Sequence, residues 1–165
     1  MDWELVPVST DAFKAAMRRF ATGVTIVTTR NGDAIHGFTV NAFASVTAEP
    51  PTVLVCVNRT ARAHPMITES GGFCVNILAL EQQALAEKFQ GGEPHERFSG
   101  VVHRAGPSGS PILDDVLAYV DCSVEEEVTA GTHTIFIGHV LEAGEREGIP
   151  LGYYDRAYRN YAIEP

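Results

Sequence analysis

The sequence predicts a mainly β protein, an antiparallel barrel with short helices at its periphery. Runs of β-branched and aromatic residues recur along the 165 residues, and turn signals between them indicate hairpins. Helical patterns are few and do not alternate regularly with the strands, which argues against a doubly wound parallel sheet. A chain of this length can bury a sizeable core, so we expect one domain over residues 1–165.

The N-terminal half predicts one helix and then a series of strands. The segment STDAFKAAMRRFATG begins with capping residues, has apolar residues at helical spacing and ends at Gly23. VTIVTT is β-branched, and Asn31-Gly32 predicts a hairpin turn to the strand AIHGFTVN. FASVTAEP reads as the next strand. TVLVCVN is a continuous apolar run bounded by turns, which indicates a strand buried on both faces.

The C-terminal half completes six or seven strands and two or three short helices. ARAHPMITESG predicts a short helix, GFCVNIL a strand, and LEQQALAEKFQGG an amphipathic helix with Leu80, Leu85 and Phe89 inward. GEPHERFSGVVHRAGPSGSP is rich in Gly, Pro and Ser and predicts a long loop with little regular structure. LAYVDCSVEEEVTAG and THTIFIGHVLEAGERE predict two long antiparallel strands joined near Gly131.

Composition and missing motifs exclude several classes of function. A net charge of −9 disfavours nucleic acid as a partner. We expect no membrane segment and no signal peptide, because no apolar run approaches about 20 residues and the N-terminus is acidic. Cys56, Cys74 and Cys122 lie in apolar runs typical of reduced thiols in a cytoplasmic protein. Motifs for triphosphates, Rossmann cofactors, metals and hydrolases are absent, so we expect no metal.

Small polar side chains interrupt two of the predicted strands. Thr39, Asn41 and Phe43 share one face if their strand is continuous, and Ser45 and Thr47 share one face of the next segment. Hydroxyl and amide groups there offer hydrogen bonds to a ligand without filling its volume. A half-solvated sheet face, or a turn at Asn41, is the alternative explanation.

Asn58, Arg59 and Thr60 follow the apolar run TVLVCVN and precede a predicted helix. A guanidinium beside a helix N-terminus suits a phosphate, although an ordinary surface arginine is the alternative for Arg59. In GTHTIFIGH, alternation places His133 on one strand face, where a lone histidine is more commonly just a partly exposed group. Gly138 in the same strand indicates a bulge or the close approach of another group.

The tyrosine-rich tail GYYDRAYRNY suits either an oligomer contact or a platform for a planar ring. With these segments the chain resembles the short-chain flavin reductases, FMN-binding split-barrel proteins that serve as reductase components of two-component flavin-dependent monooxygenases. The resemblance covers nearly the whole chain and rests on FKAAMRRFATGVTIVTT, GFTVNAFASVTAEPPTVLVCVNRTARAH, FCVNIL, AEKF, GTHTIFIGHV and PLGYYDRAYRNY. It implies a homodimeric split β-barrel that reduces FMN or FAD with NADH or NADPH and supplies reduced flavin to a partner monooxygenase.

The resemblance also implies the residues of the site. His133 matches the histidine of the family motif G-D-H-T and would position the nicotinamide. Asn58, Arg59 and Thr60 would lie near the ribityl phosphate, and Thr132 replaces the acidic residue usual before the histidine. Ala61 stands where a second hydroxyl is common. The implied cofactor-binding residues are Thr39, Val40, Asn41, Ser45, Val46, Thr47, Cys56, Val57, Asn58, Arg59, Thr60, His64, Phe89 and Tyr158.

Two other functions remain compatible with the residues. One is a flavoprotein of the same fold that holds its flavin tightly and carries electrons. The other is a non-enzymatic flavin-binding protein that stores or senses its ligand. The reductase is favoured because hydride transfer between stacked rings depends on positioning more than on an acid–base pair, and the sequence offers no such pair.

Overall fold

The computed structural model describes residues 7–161, and a seven-stranded antiparallel sheet is its main feature. This confirms the mainly β, antiparallel prediction. In chain order the elements are α1 (Thr10–Met17), β1 (Thr22–Gly23), β2 (Thr25–Asn31), β3 (Ala34–Val40), β4 (Phe43–Ala48), β5 (Pro51–Asn58), α2 (Ala63–Ser70), β6 (Gly72–Ile77), a 3₁₀ turn (Leu80–Gln82), α3 (Gln83–Gln90), α4 (Pro94–Arg97), β7 (His103–Ala105), β8 (Pro111–Leu113), β9 (Ala118–Ala130), β10 (His133–Glu145), β11 (Leu151–Tyr154) and β12 (Ala157–Asn160).

The order of strands in the main sheet brings its two edges close together. The order is β3-β2-β6-β9-β10-β5-β4, so both edge strands are neighbours in the chain, joined by Asn41 and Ala42. The carbonyl oxygen of Ala42 accepts a hydrogen bond of 3.0 Å from the amide of Cys56. The sheet therefore bends until its two edges meet at this junction.

The inner core lies inside the bent sheet and is built by alternating side chains. Along β10, Thr134, Phe136 and Gly138 are buried, as the predicted alternation requires. A Cβ atom on Gly138 would lie 2.6 Å from Cζ of Phe73. The close approach expected at Gly138 is thus made by a core ring of the protein itself, beside a bulge in the β9–β10 pairing.

A second core lies outside the sheet, over β2 and β6. Phe89 and Ala86 of α3 are fully buried there, together with Leu151 of β11, whereas Leu80 and Leu85 are only partly buried. The strands β1, β11 and β12 form a small separate sheet that packs with this cluster. Both faces of β2 are consequently buried over most of its length.

The strand β5 differs from its prediction. Val53, Val55 and Val57 are buried, but Leu54 and Cys56 stay partly exposed, so one chain buries only one face of this strand. Neighbouring β10 presents Ile135 and Ile137, paired with Cys56 and Leu54, on the same side. We call the side chains of Leu54, Cys56, Ile135 and Ile137 the β5–β10 outer face.

Two further expectations are corrected. Helix α1 ends at Met17, not at Gly23, and none of its residues is buried. The segment expected to be a loop contains α4 and the hairpin β7–β8. Tertiary contacts hold this segment in place. Nη1 of Arg97 donates a hydrogen bond of 2.8 Å to the carbonyl oxygen of Gly37, and the amide of Ser108 donates one of 2.7 Å to the carboxylate of Asp121.

The helices and the acidic, histidine and cysteine side chains of residues 7–161 bear on membrane and metal binding. None of these helices combines the length and the apolar character needed to cross a bilayer. The same residues contain no group of three or more His, Cys, Asp or Glu side chains arranged to hold a metal ion.

Candidate functional site

The end of β3 borders a small cavity of about 100 Å³. Thr39, Val40 and Asn41 line it together with Tyr153 and Tyr158, whose rings meet edge to face with centroids 5.7 Å apart. The hydroxyl of Thr39 donates a 2.6 Å hydrogen bond to the carbonyl oxygen of Ala86. The structure thus brings Tyr158 next to the Thr39–Asn41 segment, which the resemblance places at the flavin.

A larger cleft of about 390 Å³ adjoins this cavity, and both are lined by Thr39 and Gln90. Strand β3, the turn before α2, and the segment from α3 to α4 form its walls. The buried ring of Phe89 lines the cleft from the second core. The ionisable side chains described in its lining are His36, Arg62, Arg97 and Glu93, so two guanidinium groups stand against one carboxylate.

The cleft carries positive charge in an acidic protein. Arg97 donates to the carbonyl oxygens of Gly37 and Gly91, at 2.8 and 3.0 Å, which fixes its guanidinium. Burial and the nearby Arg62 lower the pKa of Arg97. Within residues 7–161 neither arginine forms a salt bridge, so both charges remain available to an anion.

His36 lies beside the two arginines and is neutral near pH 7. Its side chain is only 6% exposed, and burial, followed by the charges of Arg97 and Arg62, lowers its pKa to about 4. Among residues 7–161 its ring nitrogens have no hydrogen-bond partner, and because they are not fully enclosed they are accessible from the cleft. A neutral imidazole at this position can donate to an anionic oxygen without adding a third charge.

The predicted polar residues of β5 and β10 meet at a different place. Asn58 and His133 are paired across the two strands, and the amide of Arg59 donates to the carbonyl oxygen of Thr132 at 3.0 Å. Oδ1 of Asn58 accepts from both the amide and the hydroxyl of Thr60, each at 2.9 Å. These hydrogen bonds define the conformation of the turn, which adjoins the end of the β5–β10 outer face.

The two histidines near this turn have hydroxyl partners. Nδ1 of His133 lies 2.9 Å from Oγ1 of Thr132, the residue that replaces the usual acid. Nε2 of His64 lies 2.7 Å from Oγ1 of Thr134, and its ring packs edge-on against Phe136. Hydroxyl groups can thus fix both imidazole rings without a carboxylate.

Several predicted residues are not brought together with the cavity or the cleft. The strand ends at Val40, so Thr39, Asn41 and Phe43 do not lie on one continuous strand, and a register shift interrupts β4 between Ser45 and Thr47. Val46 is exposed, and the side chain of Val57 is buried in the inner core. Arg59 is exposed and lines neither space.

No pattern in the sequence predicted that His36, Arg62, Arg97 and Gln90 would line one cleft. His36 lies within a strand pattern, Arg62 at a helix start and Arg97 in an expected loop. These residues come together because α2 and α4 pack against β3, and their spacing along the chain does not predict this packing.

Comparisons with known proteins show the family to which the chain is related. The family model "Flavin reductase like domain" matches residues 17–162. The chain is 42% identical over 154 residues to the "FMN reductase (NADH) RutF" of Stutzerimonas stutzeri, covering 92% of this chain and 88% of the relative. It is 41% identical over 154 residues to the "Flavin-dependent monooxygenase, reductase subunit HsaB" of Rhodococcus jostii. This alignment covers 93% of this chain and 77% of the relative.

A solved structure extends the similarity to the fold. The "NADH:FAD oxidoreductase SgcE6" of Streptomyces globisporus C-1027 superposes with a TM-score of 0.87 at 31% identity, covering 99% of this chain and 100% of that one. The family match spans most of the chain, and the relatives align over most of their own lengths. The resemblance seen in the sequence is therefore confirmed, and the chain belongs to the flavin reductase like domain family.

Proposed function

We propose that this protein is an NADH-dependent flavin reductase that reduces FMN or FAD and supplies reduced flavin to a partner monooxygenase. One observation carries the proposal beyond family membership: a cationic cleft opens beside a cavity lined by tyrosines in a chain of net charge −9. The cationic cleft suits a phosphate ester, and the cavity lined by tyrosines suits the edge of a planar ring. The names of the relatives support the same activity.

The residues present fit a flavin. Arg62 and Arg97 would hold its phosphate by charge-assisted hydrogen bonds, with the neutral His36 as a further donor. Thr39 and Gln90 border both spaces, so the polar chain of the flavin would pass between them. When bound, the flavin supplies a ring that accepts a hydride from a nicotinamide.

The other predicted residues are proposed in supporting roles. The Asn58–Thr60 turn would border the flavin beyond its phosphate, and Ser45, Val46 and Thr47 would approach it from β4. His133, oriented through Thr132, would position the nicotinamide rather than donate a proton. Cys56, Val57 and His64 would shape this side of the site.

We also propose a homodimer. The β5–β10 outer face is apolar, and Val128, paired with Ile135, is 37% exposed beside it. A second copy of the chain would cover these side chains and bring its own surface to the end of the face where His133 lies. We propose a cytoplasmic location, because Cys56, Cys74 and Cys122 are free thiols, which are typical of a reducing compartment.

The test is oxidation of NADH and of NADPH with FMN, FAD or riboflavin added to purified protein. We expect turnover with NADH that depends on added flavin, and slower turnover with NADPH. Absence of NADH and NADPH oxidation above the flavin-free rate would show that the proposal is wrong. A yellow colour that survives dialysis, without turnover of added flavin, would instead favour the electron-carrier or storage function.

A further inference from the structure

A second cavity continues from the cationic cleft on the far side of Arg62. It measures about 470 Å³ and shares His36, Arg62 and Pro94 with the cleft. Its remaining lining residues are Ala34, Ile35, Met66, His95 and Phe98. The two spaces therefore form one groove, with the charged groups near its middle.

The chemistry of the groove changes along its length. The part near Thr39 is polar, the middle holds two guanidinium groups, and the far part is lined mainly by apolar side chains. The ring of Phe98 is held edge to face against Phe89, 5.0 Å between centroids, so that one wall of the apolar part is fixed. A rigid, mostly apolar space with a histidine at its rim suits a planar heteroaromatic ring.

Two independent features indicate that the middle of the groove binds phosphate groups. His36 is nearly fully buried without a hydrogen-bond partner among residues 7–161, and it lines both cavities. Arg62 and Arg97 form no salt bridge among residues 7–161, and both line the cleft. The two guanidinium groups can therefore each hold one phosphate of a diphosphate.

We propose that the apolar cavity binds the adenosine end of a dinucleotide whose diphosphate lies at Arg62 and Arg97. The inference rests on the proposed function, since the same arginines would hold the phosphate of FMN. Both FAD and NADH contain an adenosine diphosphate group. Continuity of the groove with the flavin cavity favours FAD, which would reach the adenosine position without leaving the groove.

The test is to block the cavity by substituting a lining residue with tryptophan. Met66 is partly buried in its lining, and Met66→Trp should obstruct it. We expect the dissociation constant for FAD to rise at least tenfold while that for FMN changes less than twofold, both measured by titration calorimetry. Ala34→Trp, at an exposed lining position, should repeat the effect if Met66→Trp disturbs the fold. Thr68→Trp, exposed two residues further along α2, is the matched control and should change neither value.

The same variants identify the source of the adenosine. If the Michaelis constant for NADH rises tenfold with FMN as acceptor while the FAD to FMN affinity ratio stays fixed, the cavity binds the adenosine of NADH. If neither quantity changes in Met66→Trp or Ala34→Trp, the inference is wrong even though FMN reduction continues. If the wild-type protein does not bind FMN at all, the proposed function is wrong, and the inference that rests on it is wrong as well.

Discussion

The two outer sides of the main sheet differ in what covers them. Over β2 and β6, the second core buries Phe89 and Leu151 completely within one chain. Over β5 and β10, the outer face remains partly exposed although its residues are just as apolar. The same sheet thus has one outer side that its own chain covers and one that its own chain leaves partly exposed. Apolar composition alone therefore does not show which surfaces are internal.

The comparison extends to the site. The cationic cleft lies on the covered side, where α3 and α4 pack against β3, and Phe89 belongs both to its lining and to the second core. Asn58, Arg59 and His133 lie at the end of the side that the chain leaves uncovered. If the proposed assignments hold, flavin binding depends mainly on the fold of one chain, whereas nicotinamide positioning depends also on the proposed dimer.

The largest expected effect tests the covered side. Phe89→Ala removes a fully buried ring from the second core and should lower the free energy of unfolding by about 3–5 kcal/mol, through lost burial and the cavity left behind. Urea denaturation measures this. Val102→Ala, at a 69% exposed position, is the control and should have an effect within about 0.5 kcal/mol. A loss below 1 kcal/mol for Phe89→Ala would mean that the covered side is not a core.

The next effect tests the uncovered side. Ile137→Glu places one charge from each subunit in the proposed dimer contact. The dissociation constant of the dimer should therefore rise at least a hundredfold, about 2.7 kcal/mol. Sedimentation velocity across protein concentrations measures the shift, and circular dichroism checks that the fold is retained. Val102→Glu should leave association unchanged. A wild-type protein that is monomeric at micromolar concentration would contradict the role given to this face.

A third prediction compares two arginines, one on each side. Arg62→Ala should weaken FMN by about 10- to 150-fold, the value of a charge-assisted hydrogen bond of about 1.5–3 kcal/mol, and should leave riboflavin nearly unchanged. Arg59→Ala, outside the cleft, should weaken FMN by less than threefold. Fluorescence titrations with both flavins measure this. The reverse order would support the expectation from the sequence, which assigned the phosphate to Arg59.

The smallest effect concerns His133. His133→Asn keeps a donor and should cost little, whereas His133→Ala should lower kcat/KM for NADH by about tenfold, mainly through KM, as expected for about 1.4 kcal/mol of lost positioning. Stopped-flow reduction with saturating NADH separates positioning from chemistry. If both variants slow the hydride step by about 1,000-fold, on the scale of general acid–base catalysis, His133 takes part in the chemistry and the assignment is wrong.

Local patterns in the sequence were sufficient for most of the fold. β-Branched runs predicted the strands, and Asn31-Gly32 predicted the β2–β3 hairpin, where Gly32 has a φ of +59°. The segment containing α4 and β7–β8 was missed because its structure depends on distant partners such as Gly37 and Asp121. Gly and Pro there indicate a break in periodicity, but they do not show what the chain packs against afterwards.

Only part of the candidate site could be predicted from the sequence, because local motifs identify some of its residues and long-range packing brings in the others. The Thr39–Asn41 segment and Tyr158 were recognised through family motifs, and they line one cavity. The cleft residues His36, Arg62 and Arg97 come from three separate elements, none of which has a distinctive pattern. Electrostatic sites of this kind arise from packing, so they become visible only when the positions of the helices relative to β3 are known.

The pairing of β5 with β10 also affects how the protein folds. Asn58 and His133 are partners across these strands but stand 75 positions apart in the chain (133 minus 58). Contacts between distant residues require the closure of long loops, which slows folding. The Asn58–His133 turn is therefore complete only after this long-range pairing has formed, and the cleft likewise requires α2, α3 and α4 to pack against β3, so we expect FMN to bind only the native state. Such a ligand acts as a stabiliser: at 100 times its dissociation constant it would add about 2.7 kcal/mol, measurable as a rise in Tm when FMN is added.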